Sequence, residues 1–255
     1  MIEDKKVVCV IPARLQSSRF PRKILALLGE KPLIQWVWEA AIKISFFDEV
    51  VFAVDSEETA RIIEGFGGRF YLTSIDCESG TDRLAELQKK GIIQGDIWVN
   101  WQADEPFITE KILRDLLFSS RNELADIWTL KTRILHDEQI KDPNSPKVVC
   151  DVHGFALYFS RSPIPYYRNL QDSQPKYFKH IGLYAYSNEA LKKISEMPEC
   201  ELAQAESLEQ LRFLSYGLKI QVNETSEETI GIDLPEHLVT ADLHIRKKIC
   251  SLSHV

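Results

Sequence analysis

Four basic side chains crowd the stretch that follows the first apolar segment of the chain: Arg14, Arg19, Arg22 and Lys23. That segment, Val7 to Pro12, is β-branched and ends in a proline, which is typical of a buried parallel strand. The whole chain has a formal net charge of −7, so the local positive charge departs from the average. A basic loop that also carries Ser17 and Ser18, at the carboxyl end of a first strand, predicts a polyphosphate site. Charge alone leaves a solvated surface loop as the alternative.

Two carboxylates that are far apart in the sequence occupy similar positions. Asp104 follows the apolar segment Ile97 to Trp101, and Asp233 follows Gly231-Ile232 just before a predicted helix. Taken alone, each is typical of a turn or a helix N-cap. If both lie at strand-to-helix junctions, they could converge on one Mg²⁺, which takes one or two carboxylates together with substrate phosphates. With the basic loop, they indicate a nucleoside triphosphate site.

Other polar residues could bind a ligand, although each also fits a purely structural role. Ser79 to Arg83 predicts a turn that opens a helix, whose free N–H groups suit an anion or the edge of a base. His180 is more often a buried structural histidine than a ligand, and Arg161 could be an edge-strand charge. Glu209 and Gln210 lie between two leucines of a predicted helix and should point away from its core side, to solvent or into a cleft. Singly, these residues favour the structural role.

The order of predicted elements supplies a scaffold for these residues. Up to the helix that starts at Thr109, predicted strands and helices alternate, which is typical of a doubly wound, mostly parallel sheet. From 126 to 186, strand-like runs and prolines follow one another without helices, which predicts a small antiparallel extension or lid. A helix over Ala205 to Tyr216, a strand over Lys219 to Val222 and a helix over Pro235 to Ile249 follow. We therefore predict the α/β class, with one domain over 1–255 and a possible subunit contact in the extension.

Composition excludes several classes of protein. The chain has 255 residues, of which 44% are hydrophobic, enough to bury a full core. Its negative charge argues against nucleic acid or an anionic membrane as main partner. It has no apolar run of about 18 residues, no signal-peptide pattern and no G-x-G-x-x-G after the first strand. Its five cysteines show no C-x-x-C spacing, which favours a reducing cytoplasm over a structural zinc site.

Several stretches together resemble the 3-deoxy-manno-octulosonate (Kdo) cytidylyltransferases, or CMP-Kdo synthetases, over nearly the whole chain. The first loop is shared with nucleotidyltransferases in general, whereas the last four stretches are specific to this family. The stretches are Pro12 to Lys23, Ser79 to Glu86, Val99 to Pro106, Ala156 to Arg161, His180-Ile181-Gly182, Leu208 to Arg212 and Gly231 to Pro235.

The resemblance implies an α/β fold of the nucleotide-diphospho-sugar transferase type and transfer of a cytidylyl group from CTP to Kdo, for lipopolysaccharide synthesis, in a homodimer. It implies that Arg14 and Lys23 act on the triphosphate and that Asp104 and Asp233 hold Mg²⁺. It implies phosphate or cytidine contacts for a first group of residues and acid-sugar contacts for a second. The first group is Ser17, Ser18, Ser79, Gly80, Thr81 and Arg83; the second is Gln102, Arg161, His180, Tyr186, Glu209 and Gln210.

The sequence departs from the family pattern at four positions. Arg22 and Ala103 stand where glycine is usual, Leu234 replaces a threonine, and His237 replaces an acid. None of these changes removes a predicted catalytic group. Three alternatives stay open: 8-amino-Kdo as the acid sugar, sialic acid as the acid sugar, and a non-catalytic nucleotide-sensing module on the same fold.

Overall fold

The computed structural model describes residues 4–17, 20–118, 124–169, 175–227, 229 and 231–252, so Ser18 and Arg19 of the basic loop lie outside the described residues. The strands are β1 Val7–Ala13, β2 Leu27–Leu28, β3 Lys31–Pro32, β4 Glu49–Val54, β5 Phe70–Leu72, β6 Ile97–Asn100, β7 Ile127–Arg133, β8 Lys147–Cys150, β9 Ala156–Ser160, β10 Phe178–Ser187 and β11 Ile220–Glu224. The helices are α1 Leu33–Ala41, α2 Glu57–Gly65, α3 Gly80–Lys89, α4 Glu110–Phe118, α5 Asp137–Lys141, α6 Asn188–Ile194, α7 Glu201–Glu206, α8 Gln210–Ser215 and α9 Pro235–Leu252.

The chain forms two compact units. The N-terminal unit contains 6–94, 100–109 and the chain from 229 onward, and the central unit is built mainly from 95–99 and 110–228. The prediction of one domain over 1–255 stays a prediction.

Parallel strands organise the N-terminal unit. β4 pairs in parallel with β1 and with β5, so that all three strands end at the same edge. Every residue of β1 is buried, as its continuous apolar sequence predicts for a strand covered on both faces. Ser56 caps α2 by accepting the N–H of Thr59 at 3.2 Å, which fixes the turn from β4 into the helix.

A small apolar cluster anchors the segments that follow β1 and precede α9. A short 3-10 turn over Lys23–Leu25 leads into the β2–β3 hairpin. Leu28 of β2 packs with Leu33, Ile232 and Ala241, all of which are buried. Because Ile232 is held in this cluster and its N–H bonds to the carbonyl oxygen of Asp104 at 3.0 Å, the neighbouring Asp233 has a fixed backbone position.

The central unit has the strand order β11-β7-β10-β6, with β8 and β9 attached at β10. β7 and β10 are antiparallel, as are β8 with β9 and β8 with β10, whereas β11 and β7 are parallel. The predicted α/β class with an antiparallel extension is confirmed, and the bounds 126–186 of the extension stay a prediction. Among the described helices, none is long and apolar enough to cross a membrane.

Two details of the sequence prediction are wrong. A five-residue helix, α5, lies between β7 and β8, where no helix was expected. The helix predicted over Ala205 to Tyr216 is interrupted, because α7 ends at Ser207 in the left-handed conformation with φ 50° and ψ 50°. The N–H of Leu208 then bonds to the carbonyl oxygen of Ala203 at 3.1 Å, a helix-terminating pattern that turns Leu208 back into the core.

Candidate active site

A cavity of about 290 Å³ opens in the N-terminal unit at the carboxyl ends of its strands. Nine of the residues singled out from the sequence line it, together with five others. The nine are Arg14, Ser17, Lys23, Ser79, Gly80, Arg83, Gln102, Asp104 and Asp233; the others are Pro12, Ile24, Cys77, Glu78 and Ala103. Thr81, at 1% exposure, is buried in α3 and is not among these lining residues.

The ammonium group of Lys23 joins the two carboxylates that the sequence marks as metal ligands. It forms an ion pair with Asp104 and a second one with Asp233, whose Oδ1 lies 3.1 Å from Nζ. Lys23 is only 8% exposed, whereas the side chains of Asp104 and Asp233 are 27% and 44% exposed, so the pairs remain open to solvent on the carboxylate side. Two carboxylates that are far apart in sequence therefore converge on one cationic point, as a small metal ion would require.

His237 fixes the backbone at one of these carboxylates. Its Nδ1 accepts the N–H of Asp233 at 3.2 Å, one turn into α9. This bond assigns the imidazole an acceptor role at Nδ1. The histidine that replaces an acid in the family pattern thus supports the segment that leads into α9. The sequence predicted a strand before Asp233, and this is wrong: 231–233 form no strand, and Asp233 lies just before the helix.

The start of α3 forms one wall of the cavity. Ser79 and Asp82 make a capping box: Ser79 Oγ accepts the Asp82 N–H at 3.1 Å, and an Asp82 carboxylate oxygen accepts the Ser79 N–H at 2.8 Å. A Cβ at Gly80 would lie 2.9 Å from Pro12 Cγ and 3.0 Å from Gln102 Nε2. Glycine is therefore needed for the helix start to pack this closely against the strand ends.

Arg83 carries a buried charge beside the cavity, and its main partner was not singled out from the sequence. Its guanidinium pairs with Asp55 at 3.0 Å and donates to Thr73 Oγ1 at 2.7 Å and the Ser74 carbonyl at 3.1 Å. Asp55 follows β4 directly, so its place at a strand end was the signal that could have identified it.

Cys77 lines the cavity but is a poor nucleophile. Burial and a hydrogen bond to Glu86 raise the pKa of its thiol to about 12. The reactive species of a cysteine is the thiolate, which such a pKa disfavours. Chemistry in this cavity is therefore left to the charged residues.

Arg161, predicted to bind the sugar, is held by backbone carbonyls in the central unit. Its Nε donates to the Glu206 carbonyl at 2.6 Å, one terminal nitrogen to Pro143 at 2.7 Å and the other to Ser207 at 3.1 Å. Glu206 in turn accepts the Arg161 N–H at 2.9 Å and the hydroxyl of Ser160 at 2.6 Å. These bonds tie the end of α7 to the end of β9.

His180 and Tyr186 lie in an aromatic cluster of the central unit. His180 packs edge-on against Phe159 and lies 3.0 Å from Thr129 Oγ1 through Nε2. Burial lowers the pKa of its imidazole to about 3, so the ring is neutral near pH 7. Tyr186 is fully buried and stacks on Tyr184, with ring centroids 5.9 Å apart. Burial also raises the pKa of the Tyr184 phenol.

Glu209 and Gln210 differ in environment although they are adjacent. Glu209 precedes α8 and forms an ion pair with Arg212 at 3.3 Å. Gln210 does not face solvent, since it is 5% exposed and its amide nitrogen is buried without a hydrogen-bond partner. An unpaired buried donor is a costly group that a bound acceptor would satisfy.

The sequence and the fold match known proteins over nearly their full length. The family model described as Cytidylyltransferase matches residues 8–220. A protein of Acaryochloris marina named 3-deoxy-manno-octulosonate cytidylyltransferase is 44% identical over 247 residues, which cover 96% of this chain and 99% of that protein. A protein of the same name from Porphyromonas gingivalis is 44% identical, with coverage of 96% and 98%.

The chain belongs to the 3-deoxy-manno-octulosonate cytidylyltransferase family. A solved structure of CMP:2-keto-3-deoxy-manno-octonic acid synthetase complexed with CTP is similar in fold, with a TM-score of 0.89 and 40% identity. The match covers 95% of this chain and 99% of that one. The resemblance stated from the sequence motifs is confirmed, and the chain is a nucleotidyltransferase of this family.

Two departures from the family pattern have clear structural consequences. Arg22 adopts φ 58°, a left-handed conformation that glycine reaches without strain. Its guanidinium pairs with Glu58 in the first turn of α2. Ala103 is buried, and Arg22 and Ser207 are the non-glycine residues with positive φ in the described part of the chain. The alanine therefore fits its backbone conformation without left-handed strain.

Proposed function

We propose that this chain transfers the cytidylyl group of CTP to the C2 hydroxyl of Kdo and releases pyrophosphate. The observation that carries the proposal is the convergence of Lys23, Asp104 and Asp233 in a cavity walled by the start of α3. The name shared by relatives at 44% identity selects Kdo as the acceptor.

The proposed reaction is an in-line displacement at phosphorus. The C2 oxygen of the sugar forms a bond to the α-phosphorus as the bond to the pyrophosphate oxygen breaks, and the hydroxyl proton is lost. Positioning of the two substrates and stabilisation of charge on the phosphoryl oxygens supply most of the rate in such a transfer.

Arg14 and Lys23 supply the positive charge that the triphosphate needs. Both line the cavity, and Arg14 is exposed. Lys23 meets two carboxylates, so this group of three carries one net negative charge. If the two carboxylates held another cation, Lys23 would be available to the phosphates. A guanidinium and an ammonium then hold the same triphosphate from two positions.

Asp104 and Asp233 fit the requirements of Mg²⁺. Both reach one cationic position, and the described residues contain no group of three or more His, Cys, Asp or Glu gathered for a metal. Mg²⁺ completes its coordination with substrate phosphates and water, so two carboxylates are a sufficient protein contribution. When bound there, the ion would neutralise charge on the phosphates and polarise the α-phosphoryl group.

Residues around the start of α3 would hold the nucleoside. The first N–H groups of a helix attract acceptors and anions, and Ser79 and Gly80 place this helix start on the cavity wall. Gln102, which the resemblance assigns to the acid sugar, lines this cavity instead of lying with the other proposed sugar contacts, and it donates to Asn100 Oδ1 at 2.8 Å. We propose that Arg83 and Ser17 complete the nucleotide contacts.

The sugar contacts are proposed in the central unit, at Arg161, His180, Tyr186, Glu209 and Gln210. The unpaired amide nitrogen of Gln210 and the neutral imidazole of His180 support hydrogen bonding to a hydroxylated ligand. Arg161 acts there by holding Glu206 and Ser207 in place.

The cellular setting is part of the proposal. CMP-Kdo made in the cytoplasm would serve lipopolysaccharide synthesis, and free Cys9, Cys77, Cys150 and Cys200 fit a reducing compartment. A homodimer is supported by exposed apolar side chains in the antiparallel extension, Val152 at 95% and Leu157 at 62% among them. Sedimentation analysis of the wild type and of Leu157→Asp tests the dimer.

The deciding experiment is Mg²⁺-dependent pyrophosphate release from CTP, run in parallel with Kdo, 8-amino-Kdo and sialic acid. Release with Kdo at a kcat/KM well above that for the other two sugars is the expected result. A higher kcat/KM for another sugar would leave the proposed reaction unchanged and would identify that sugar as the acceptor. If the folded protein binds CTP but releases no pyrophosphate with any of the three sugars, the proposed activity is rejected and the protein is a nucleotide-sensing module.

A further inference from the structure

Two aspartates flank β4 and make the same kind of bond at opposite ends of β1. Asp48 precedes β4, and one of its carboxylate oxygens accepts the N–H of Val7 at 2.7 Å. Asp55 follows β4, and its Oδ1 accepts the N–H of Leu15 at 3.0 Å. The first bond lies at the amino end of the parallel pair and the second at the carboxyl end, where the cavity opens.

The second oxygen of Asp55 has a partner that lines the cavity. Oδ2 lies 3.0 Å from a terminal nitrogen of Arg83, and the side chains of Asp55 and Arg83 are only 9% and 3% exposed. A desolvated guanidinium needs a counter-charge, because the protein interior screens it far less than water does. Asp55 supplies that charge to Arg83.

The same network reaches a third strand end. The other terminal nitrogen of Arg83 donates to Thr73 Oγ1, and this hydroxyl donates to the carbonyl of Val54 at 3.1 Å. Thr73 follows β5, so the ends of β4 and β5 and the first turn of α3 are linked through Arg83. The bond to Leu15 adds the loop after β1, between the cavity residues Arg14 and Ser17.

We propose that Asp55 is a positioning residue for CTP binding: one carboxylate holds both the triphosphate loop after β1 and the Arg83 side of the nucleoside wall. The inference rests on the proposed function for the identity of the ligand. Asp55 itself does not need to touch CTP. It fixes the separation between two walls that must contact the two ends of the same nucleotide, and small misplacements of binding groups weaken binding and transfer strongly.

Asp55→Asn separates the two roles of the carboxylate. The amide oxygen of asparagine still accepts the Leu15 N–H, but the charge opposite Arg83 is lost and an amide N–H₂ faces the guanidinium. We expect the dissociation constant for CTP, measured by calorimetry with Mg²⁺, to rise on the order of 10-fold or more, as for truncated charge pairs at buried interfaces.

Asp48→Asn is the matched control, because it alters the equivalent backbone bond at the other end of β1. Its CTP affinity should stay within about twofold of the wild type, which is the ordinary result for a change far from a ligand. In Asp55→Asn, the KM for CTP should rise while the KM for Kdo stays constant. Wild-type affinity for CTP in a folded Asp55→Asn protein, or equal weakening in both variants, would overturn the proposal.

A second comparison covers the case in which Asp55→Asn does not fold. Removal of both charges leaves no uncompensated buried ion, so Asp55→Asn combined with Arg83→Gln should fold where the single variant fails. If Asp55 acts through Arg83, the double variant binds CTP as Arg83→Gln does. A further 10-fold loss, about 1.4 kcal/mol, in the double variant would show independent action and reject the proposal. Because the readout is CTP binding, it is independent of whether Kdo is the acceptor.

Discussion

The cavity of the N-terminal unit and the polar cluster of the central unit hold their functional side chains in opposite ways. Lys23, Asp104 and Asp233 satisfy one another through ion pairs at the mouth of a cavity. His180 and Gln210 are buried, at 7% and 5% exposure, and His180 packs against the ring of Phe159. The first set can exchange its partners for a ligand, whereas the second set is part of the core.

Because of this difference, substitutions in the N-terminal unit should mainly affect catalysis, whereas substitutions in the central unit should also affect stability. Ion pairs at an open site contribute little net free energy, because each charge would otherwise be solvated. Removing one of them should affect turnover more than folding. Buried polar residues leave unsatisfied partners when they are replaced, so changes in the central unit should lower stability together with sugar binding.

Asp104→Ala should give the largest effect of all on turnover. Loss of one of the two converging carboxylates removes half of the protein's contribution to the proposed cation site, and kcat should fall on the order of 1,000-fold or more, as when a principal electrostatic group is removed. Pyrophosphate release measures kcat, and urea unfolding should show stability close to that of the wild type.

Glu58→Ala is the control for Asp104→Ala, since Glu58 is an exposed carboxylate of the same unit that pairs with Arg22. It should retain wild-type kcat. An unchanged kcat in Asp104→Ala would show that this residue has no part in the site. The proposed difference between the two units would then lose its main support.

Arg161→Lys should lower stability and sugar binding together. The lysine ammonium cannot reproduce a fork that reaches Glu206, Ser207 and Pro143 at once. We expect a loss of about 1–2 kcal/mol in the free energy of unfolding, from backbone acceptors left unpaired. The KM for Kdo should rise while the KM for CTP stays constant.

Arg133→Lys, at an exposed position of β7, serves as the control and should change neither quantity. Full stability with a raised KM for Kdo in Arg161→Lys would show that the guanidinium contacts the sugar directly. That result would place Arg161 with the exchangeable charges rather than with the core.

His180 makes the stability of the wild type depend on pH. Its pKa is lowered from 6.5 to about 3 in the folded protein, so the unfolded state binds a proton first as the pH falls. The stability due to the neutral imidazole is therefore complete above 6.5 and is lost as the pH falls toward 3. The slope should approach about 1.4 kcal/mol per pH unit within this range.

His180→Gln should show a shallower loss of stability between about pH 7 and about pH 5 when urea unfolding is measured at each pH. Since glutamine does not titrate, the difference between the two proteins isolates the imidazole. The exposed His153 provides the control through His153→Gln. Parallel pH curves for the wild type and His180→Gln would mean that His180 is solvated and protonates freely.

The sequence predicts most of the fold because local patterns decide it. The continuous apolar segment of β1, the start of α3 at Ser79 and the successive strands between 126 and 186 agree with the structure. The interruption at Ser207 was missed because a serine in the left-handed conformation has no sequence signal comparable to glycine. The short α5 has no buried residue and hence no apolar periodicity.

Predictions for the site succeed where charge and strand ends coincide. Arg14 follows β1 and Asp104 follows β6, and both line one cavity, because a mostly parallel sheet brings the carboxyl ends of its strands to one edge. Lys23 in the 3-10 turn and Asp233 before α9 line the same cavity without following a strand directly. Asp55 was not singled out, since nothing in the sequence shows that its partner is Arg83, 28 residues away. Contacts between distant residues become visible only in the folded chain.

The smallest expected effect is that of replacing Arg22, which lies at the edge of the charged cavity. It is held at φ 58° and pairs on the surface with Glu58. A left-handed conformation costs a non-glycine residue about 1–2 kcal/mol, which roughly offsets an exposed ion pair worth about 0–1 kcal/mol and the entropy of an added glycine. Arg22→Gly should therefore change the free energy of unfolding by less than about 1 kcal/mol.

Arg22→Ala provides the matched variant, because it removes the ion pair and keeps the strain. Arg22→Gly should be more stable than Arg22→Ala by about 1 kcal/mol in urea unfolding, a difference that reports the left-handed backbone alone. Both variants should retain wild-type kcat, since Arg22 lies outside the residues that line the cavity. A large loss of kcat in both would mean that the Arg22 charge acts on the triphosphate, and the set of exchangeable charges would have to include it.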